Sequence, residues 1–294
     1  MASRDGYGGV PDMNGNEKTE LLLDRLKEDS GEYKKLETTG YSLMEKKDTI
    51  RSLMNIRMPR EVSDELLALQ DDYLQDELNE KGIVTLSEIP TIEEQFSDKS
   101  TWIGKKIMDK VSLWQGDITR LKVGAIVNAA NSRMLGCFVP CHRCIDNAIH
   151  SAAGMQLRAE CHHIMNHRRI QYGKTYEEPT GTAILTKGYN LPCDYVIHTV
   201  GPICYDGLND GLCQDLRNCY ESVLKCCVEN NIKSVAFCCI STGEFHFPND
   251  KAAEIAWETV RDFLEAHEDS MERIIFNVFK DSDRIIYEKI LGQI

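Results

Sequence analysis

Residues 234–266 read SVAFCCISTGEFHFPNDKAAEIAWETVRDFLEA. The stretch opens on a short apolar run, SVAFCC, without polar alternation, the pattern of a strand covered on both faces. It turns through ISTGEFHFPND and resumes from Lys251 with the apolar spacing of a helix. The same alternation extends outward in both directions. Strand candidates are VSLWQ at Val111, AIVNAA at Ala125, TAILTKG at Thr182, YVIHTVGP at Tyr195 and RIIFNVF at Arg273. Helical patterns lie near 147–165, 214–230, 251–266 and 282–291. Strands alternating with helices predict an α/β domain with a largely parallel sheet and helices on both faces. In such folds ligand loops gather at the carboxyl ends of the strands.

Composition narrows the function classes. With 42% hydrophobic and 28% charged residues over 294, the chain reads as an ordinary globular protein large enough to bury a sizeable core. A formal charge of −13 argues against a nucleic-acid partner held by phosphate neutralisation. No apolar run reaches the length of a membrane span. The opening MASRDGYGGVPDMNGNEK lacks the apolar segment of a secretory leader, and residues 1–40 are expected to form a poorly ordered lead-in. All 12 cysteines fall between Cys137 and Cys239, several of them inside apolar patterns. Without a leader, that points to a reducing cytoplasmic compartment in which buried thiols act as small hydrophobes. The 8 histidines also fall late, from His142 to His267, so the chemistry belongs to the C-terminal part.

Ahead of the α/β pattern, helical spacing is visible over 49–55 and, more strongly, over 63–79. There Leu66, Leu67, Leu69, Tyr73, Leu74 and Leu78 make an apolar stripe. The expectation is a helical extension over 41–98 docked on a main domain over 99–294, joined by the loop IPTIEEQFSDKS from Ile89.

Four loops carry candidate chemistry. In WQGDITRL, Asp117 could cap its own turn or accept a hydrogen bond from the exocyclic amine of a base. In VNAANSRML, Asn128 and Asn131 sit beside small alanines that allow a ligand close to the backbone, although such asparagines also satisfy their own turns. In ISTGEFHFPND, Ser241, Thr242 and Gly243 can present consecutive amides as an anion nest suited to a diphosphate. The same residues read equally as a glycine turn capped by Asn249 or Asp250. The fourth loop, GCFVPCHRCID at Gly136–Asp146, offers Cys137, His142 and Cys144, the ligand types that zinc prefers. Three ligands match a site with an open position. Cys141, Cys161, His162 and His163 are rival ligands, and neighbouring free thiols or a redox pair remain alternatives.

Taken together, GDIT, VNAAN, YVIHTVGP and STGEFHFP resemble, in order, the macrodomain family of ADP-ribose-binding modules. GCFVPCHRCIDNAIH is similar to the stretch that replaces a glycine-rich loop in the zinc-containing macrodomains, which hydrolyse ADP-ribose from proteins. MNIRMPREVSDELLALQDDYLQDE resembles the helical extension of that subclass, so the likeness covers about residues 50–294. It implies a three-layer α/β macrodomain fold with a mixed, largely parallel central sheet plus an N-terminal helical extension. It further implies a zinc-dependent hydrolase that cleaves the glycosidic bond at the distal ribose of ADP-ribosylated proteins, expected to act as a monomer. The alternative is a non-catalytic ADP-ribose reader with a structural zinc. By the same likeness, Asp117 holds the adenine amine, Ile118 makes a neighbouring backbone contact and Phe279 stacks on adenine, although Phe279 could be plain core. Ser241, Thr242, Gly243, Glu244 and Phe245 hold the diphosphate, and Asn128 and Asn131 line the ligand with Asn131 at the distal ribose. Zn2+ is held by Cys137, His142 and Cys144. Asn131 and Asp146 are the catalytic candidates, Asp146 as a base or water-orienting group that could also be the N-cap of the following helix.

Overall fold

The computed structural model describes residues 13–96, 105–267 and 269–292. Three helices come first, α1 (Gly15–Ser30), α2 (Leu43–Ile56) and α3 (Asp64–Lys81). Short pieces follow: β1 (Val84–Thr85), α4 (Ile92–Gln95) and α5 (Lys105–Met108). The α/β part then runs β2 (Val111–Gln115), β3 (Leu121–Lys122), β4 (Ala125–Ala130), α6 (Ile145–Ala153), α7 (Met155–Tyr172), β5 (Ala183–Lys187) and β6 (Tyr195–Val200). It closes with α8 (Asp210–Glu229), β7 (Ser234–Phe237), α9 (Asn249–Ala266), β8 (Arg273–Val278) and α10 (Asp281–Gly292).

Six strands make one sheet in the order β2-β8-β7-β4-β6-β5, parallel throughout except for β5, which runs antiparallel to β6. All four residues of β7 are buried, as its unbroken apolar run requires. α8, α9 and α10 pack against one another on one face, while α6 and α7 cover the other. The chain leaves β4 towards β5 and β6, then returns across β4 to place β7 on its other side. That reversal opens a crevice at the carboxyl ends of β4 and β7, where ligands bind in such sheets. Among the described residues, no helix is long and apolar enough to cross a membrane.

Residues 1–12 of the lead-in expected over 1–40 lie outside the described residues, and beyond them the expectation does not hold. From Gly15 to Ser30 the chain is helical, started by a capping box between Asn14 and Glu17. Leu22, Leu23 and Leu26 of α1 are buried with Ile50, Leu53 and Met54 of α2 and with Leu66, Leu69, Tyr73 and Leu74 of α3. The stripe on α3 therefore serves chiefly a small core of its own, to which the α/β part contributes Met155. The apolar side chains of α1 that face that core are Leu22, Leu23 and Leu26 with the partly buried Leu21, a cluster too short for the sequence pattern to stand out among its charges.

Two further boundaries differ. The segment read as a connecting loop from Ile89 contains α4, capped by Thr91 and Glu94, while its last residues, 97–100, lie outside the described chain. The single helical pattern over 147–165 is two helices broken at Gly154, whose φ of +94° disfavours a side chain. A Cβ there would stand 2.7 Å from Nε2 of Gln70, so a side chain at the break would also meet α3.

Candidate active site

β4 ends in VNAAN, and its side chains alternate across the sheet. Asn128, opposite His198 in the register with β6, is fully buried. Its side-chain amide donates to Oδ1 of Asp146 at 2.8 Å and lies 3.1 Å from Nδ1 of His198. An amide donating to Nδ1 leaves the proton on Nε2, which faces the Thr186 hydroxyl at 2.9 Å. Asn128 thus positions a carboxylate from within the sheet, which corrects its expected place in the ligand-lining surface.

Asn131, one residue beyond the strand and half-buried, donates from Nδ2 to the other oxygen of Asp146 and to the carbonyl of Gly136, each at 3.3 Å. Its Oδ1 accepts the amide of Arg133 at 3.1 Å, an Asx turn that sets the side chain. Each oxygen of Asp146 is therefore held by one asparagine. Asp146 is not the helix cap that the sequence allowed. Cys144 caps α6, its sulfur accepting from the amide of Asn147 at 3.4 Å, which frees Asp146 to turn inward. Burial pushes the Asp146 carboxyl up to about 6, against the hydrogen bond from Asn128, the charge of Arg158 and the hydrogen bond from Asn131. His150 Nε2 lies 3.5 Å from Asp146 Oδ1, and burial, with His198 and Arg158 nearby, holds the His150 imidazole well below its ordinary value.

The donor atoms of Cys137, His142 and Cys144 lie within 4.8 Å of one another. Cys137 Sγ is 3.7 Å from His142 Nδ1. Tetrahedral zinc with ordinary bond lengths would put a sulfur and a nitrogen about 3.6 Å apart, so this donor set fits the ion. Burial, together with the neighbouring Cys137 and Asp146, pushes the Cys144 thiol up, a shift that a dication taking the thiolate would reverse. The rivals are accounted for differently. Cys141 directs its sulfur to the Ser52 hydroxyl and the Asp48 carbonyl, both at 3.3 Å. Cys161 belongs to a separate buried cluster with His150 and His198. His162 and His163 lie along α7. The nitrogen of His142 facing away from Cys137, Nε2, lies 3.7 Å from Oε1 of Glu244, which ties this loop to the one after β7.

In the loop after β7, Ser241 has φ +64° and His246 φ +54°. Ser241 packs so closely on Gly201 that a Cβ at 201 would stand 2.0 Å from its Oγ. The amides of Thr242, His246 and Phe247 close turns onto Cys239, Gly243 and Ser241. Among the described residues, those of Gly243, Glu244 and Phe245 donate to no carbonyl or side chain. These three amides lie within the stretch Ser241–Phe245 expected to hold a diphosphate, whereas the amide of Thr242 is taken by Cys239. Pro248 occupies the N-cap position of the helix that follows, which has no side-chain cap, and Asn249 turns instead to Asp283 at 2.6 Å.

In the turn after β2, Asp117 Oδ1 accepts from the amide and hydroxyl of Thr119 at 3.0 and 2.6 Å. Oδ2 has Lys81 Nζ 3.7 Å away. Both readings of Asp117 are open to it, one oxygen for the turn and one for a ligand. The Ile118 side chain is buried in the main core, leaving only its backbone for a ligand. Phe279, just past β8, is 74% exposed and not a core residue. Sequence reading missed His150, His198 and Arg158. For His198 the signal was a lone imidazole inside the apolar strand YVIHTVGP; for Arg158 there was none.

A family model described as the Macro domain matches residues 127–256. A protein-ADP-ribose hydrolase of Treponema medium is 48% identical over 248 residues, 84% of this chain and 88% of that one. One of Staphylococcus aureus is 44% identical over 247 residues, 83% and 84% of the two chains. The crystal structure of a Trypanosoma brucei macrodomain in complex with ADP-ribose aligns with a TM-score of 0.60 at 30% identity, covering 82% of this chain and 95% of that one. Identity of this extent, over an α/β crevice with its loops at the carboxyl ends of the strands, means that the chain belongs to the macrodomain family and groups with its protein-ADP-ribose hydrolases.

Proposed function

We propose that this protein removes ADP-ribose from modified protein side chains by hydrolysing the glycosidic bond at the distal ribose, with a zinc ion at the Cys137–His142–Cys144 cluster. One observation carries the reading. The first turn of α6 is capped by Cys144 and bears Asp146 on its buried side, so the soft-donor cluster and the doubly held carboxylate meet the same end of the crevice. The names of the relatives support hydrolysis of this class of substrate.

Asp117 Oδ2 accepts the exocyclic amine of adenine, and the exposed ring of Phe279 stacks on the base. The amides of Gly243, Glu244 and Phe245 take the diphosphate. Asn131, half-exposed at the end of β4, orients the distal ribose. Asp146, fixed by Asn128 and Asn131, directs water at the anomeric carbon and accepts its proton as the bond to the acceptor breaks. Cys137, His142 and Cys144 would hold the zinc, which supplies Lewis-acid polarisation and a lowered pKa for bound water.

The test is to incubate the purified protein with an ADP-ribosylated protein, with and without a chelator, and to measure released ADP-ribose. Release that chelation abolishes and added zinc restores is expected. Binding of ADP-ribose without release would instead assign the protein as a reader, and release indifferent to chelation would remove the metal from the reaction.

A further inference from the structure

Helix α2 runs alongside the cysteine–histidine loop and meets it with several side chains. Arg51 donates from Nη2 to the carbonyl of His142 at 3.1 Å and to Oδ1 of Asn147 at 2.7 Å. Asn147 in turn donates to the carbonyl of Val139 at 3.0 Å. Asn55, itself buried, accepts the amide of Cys141 on Oδ1 at 3.0 Å and donates to the Ser151 hydroxyl at 2.9 Å. From the other side Arg158 of α7 reaches both partners. It donates to the carbonyls of Met54, Asn55 and Arg57 at 2.9, 2.7 and 2.8 Å, capping the end of α2, and to the carbonyls of Leu135 and Cys137 at 2.8 and 3.4 Å.

The loop itself has little to hold its shape. From Cys137 to Arg143, its turn contact is the amide of His142 on the carbonyl of Val139 at 3.2 Å. Cys141 sits at φ +51°, a conformation that costs a residue with a side chain and persists only where surroundings enforce it. Those surroundings are Asn55 on its amide and Ser52 and Asp48 on its sulfur. Without them His142 would have to be gathered to Cys137 and Cys144 from a looser turn each time an ion bound.

We infer that the N-terminal extension is a working part of the site: Arg51 and Asn55 are positioning residues that hold the loop so that Cys137, His142 and Cys144 converge. The metal half of this inference rests on the zinc reading above; the loop half does not. A mere docking contact would affect global stability alone, whereas bracing acts on the loop.

The experiment uses the full chain with Arg51→Ala, Arg51→Lys and Asn55→Ala. Amide hydrogen exchange over 137–144 is measured in metal-free protein, and zinc affinity by competition with a chromogenic chelator. In Arg51→Ala, loop amides should exchange at least roughly tenfold faster while those of α1 and α3 keep their rates. Zinc should bind about tenfold more weakly, the usual size of an outer-shell loss. Arg51→Lys, which keeps one donor for the His142 carbonyl, should fall between. Unchanged exchange and affinity in the folded variants would overturn the inference, as would faster exchange spread evenly over the molecule. If Arg51→Ala does not fold, Arg51→Lys and Asn55→Ala, which removes the acceptor of the Cys141 amide, give the same reading of the loop. If the wild type takes up no zinc, the zinc reading fails, and the exchange measurement alone decides the bracing.

Discussion

The side-chain amide of Asn128, inside the central strand, lies 2.8 Å from Oδ1 of Asp146 in the first turn of α6. A residue with no exposure thereby sets the direction of the carboxylate that faces the proposed reaction. Asn128→Ala would leave Asp146 and His198 short of a partner in a buried place, a loss of about 1–3 kcal/mol. Thermal unfolding should register that loss, and turnover should fall while ADP-ribose affinity stays close to wild type. Normal turnover in the folded variant would mean that Asp146 is not oriented through the sheet.

His142→Ala separates chemistry from binding. The proposed contacts to adenine and diphosphate come from Asp117 and from the backbone amides of Gly243–Phe245, and the His142 imidazole, although 3.7 Å from the Glu244 carboxylate, supplies none of them. Turnover should therefore drop at least roughly a hundredfold with an affinity change below about tenfold. Single-turnover release of ADP-ribose, paired with calorimetric binding, reads both. Cys137→Ser with Cys144→Ser should abolish the zinc content found by elemental analysis.

Asp117→Ala should weaken ADP-ribose binding by about 1.5–3 kcal/mol, the worth of a hydrogen bond to a charged group. Zinc content should be unaffected, since Asp117 is not among the donors of the cluster. Calorimetry that finds the affinity unchanged would move the adenine elsewhere.

Leu23→Ala tests the small core of the extension. Leu23 is fully buried between α1 and its neighbours, and truncating such a leucine costs about 2–5 kcal/mol. Removing residues 1–40 should expose Ile50, Leu53, Leu66 and Leu69 and give a less stable, poorly soluble protein. Unfolding midpoints and solubility equal to those of the full chain would show that α1 contributes nothing.

Acid stability should depend on His198. Burial lowers its pKa from 6.5 to about 3, so the unfolded chain binds the proton more readily. Stability from this group is complete above pH 6.5 and is lost as pH falls below it towards about 3. Asp146 acts oppositely, because its raised carboxyl is relieved on protonation. The His198 contribution is therefore read as the difference between wild type and His198→Gln in unfolding free energy from pH 7.5 to pH 4.5. A variant whose slope matches wild type would mean that His198 takes up its proton as readily in the folded protein as in the unfolded chain.

The α/β alternation was legible because a covered strand and an amphipathic helix each impress a period on local sequence. VSLWQ, AIVNAA and YVIHTV were therefore readable where β2, β4 and β6 form. The donor types of the cluster were legible too, since thiol and imidazole are properties of the residues themselves. Tertiary structure alone decided which of the neighbouring cysteines turns inward. Cys141 is drawn away by Ser52 and Asp48, more than eighty positions earlier in the chain. It also decided that Asn128 is buried, that Cys144 and not Asp146 caps α6, and that Arg158 joins the end of α2 to the loop. The physical reason is common to all four. Periodicity and residue type are local quantities, whereas hydrogen-bond partners and burial arise only when segments far apart in sequence compete for the same donor, acceptor or space.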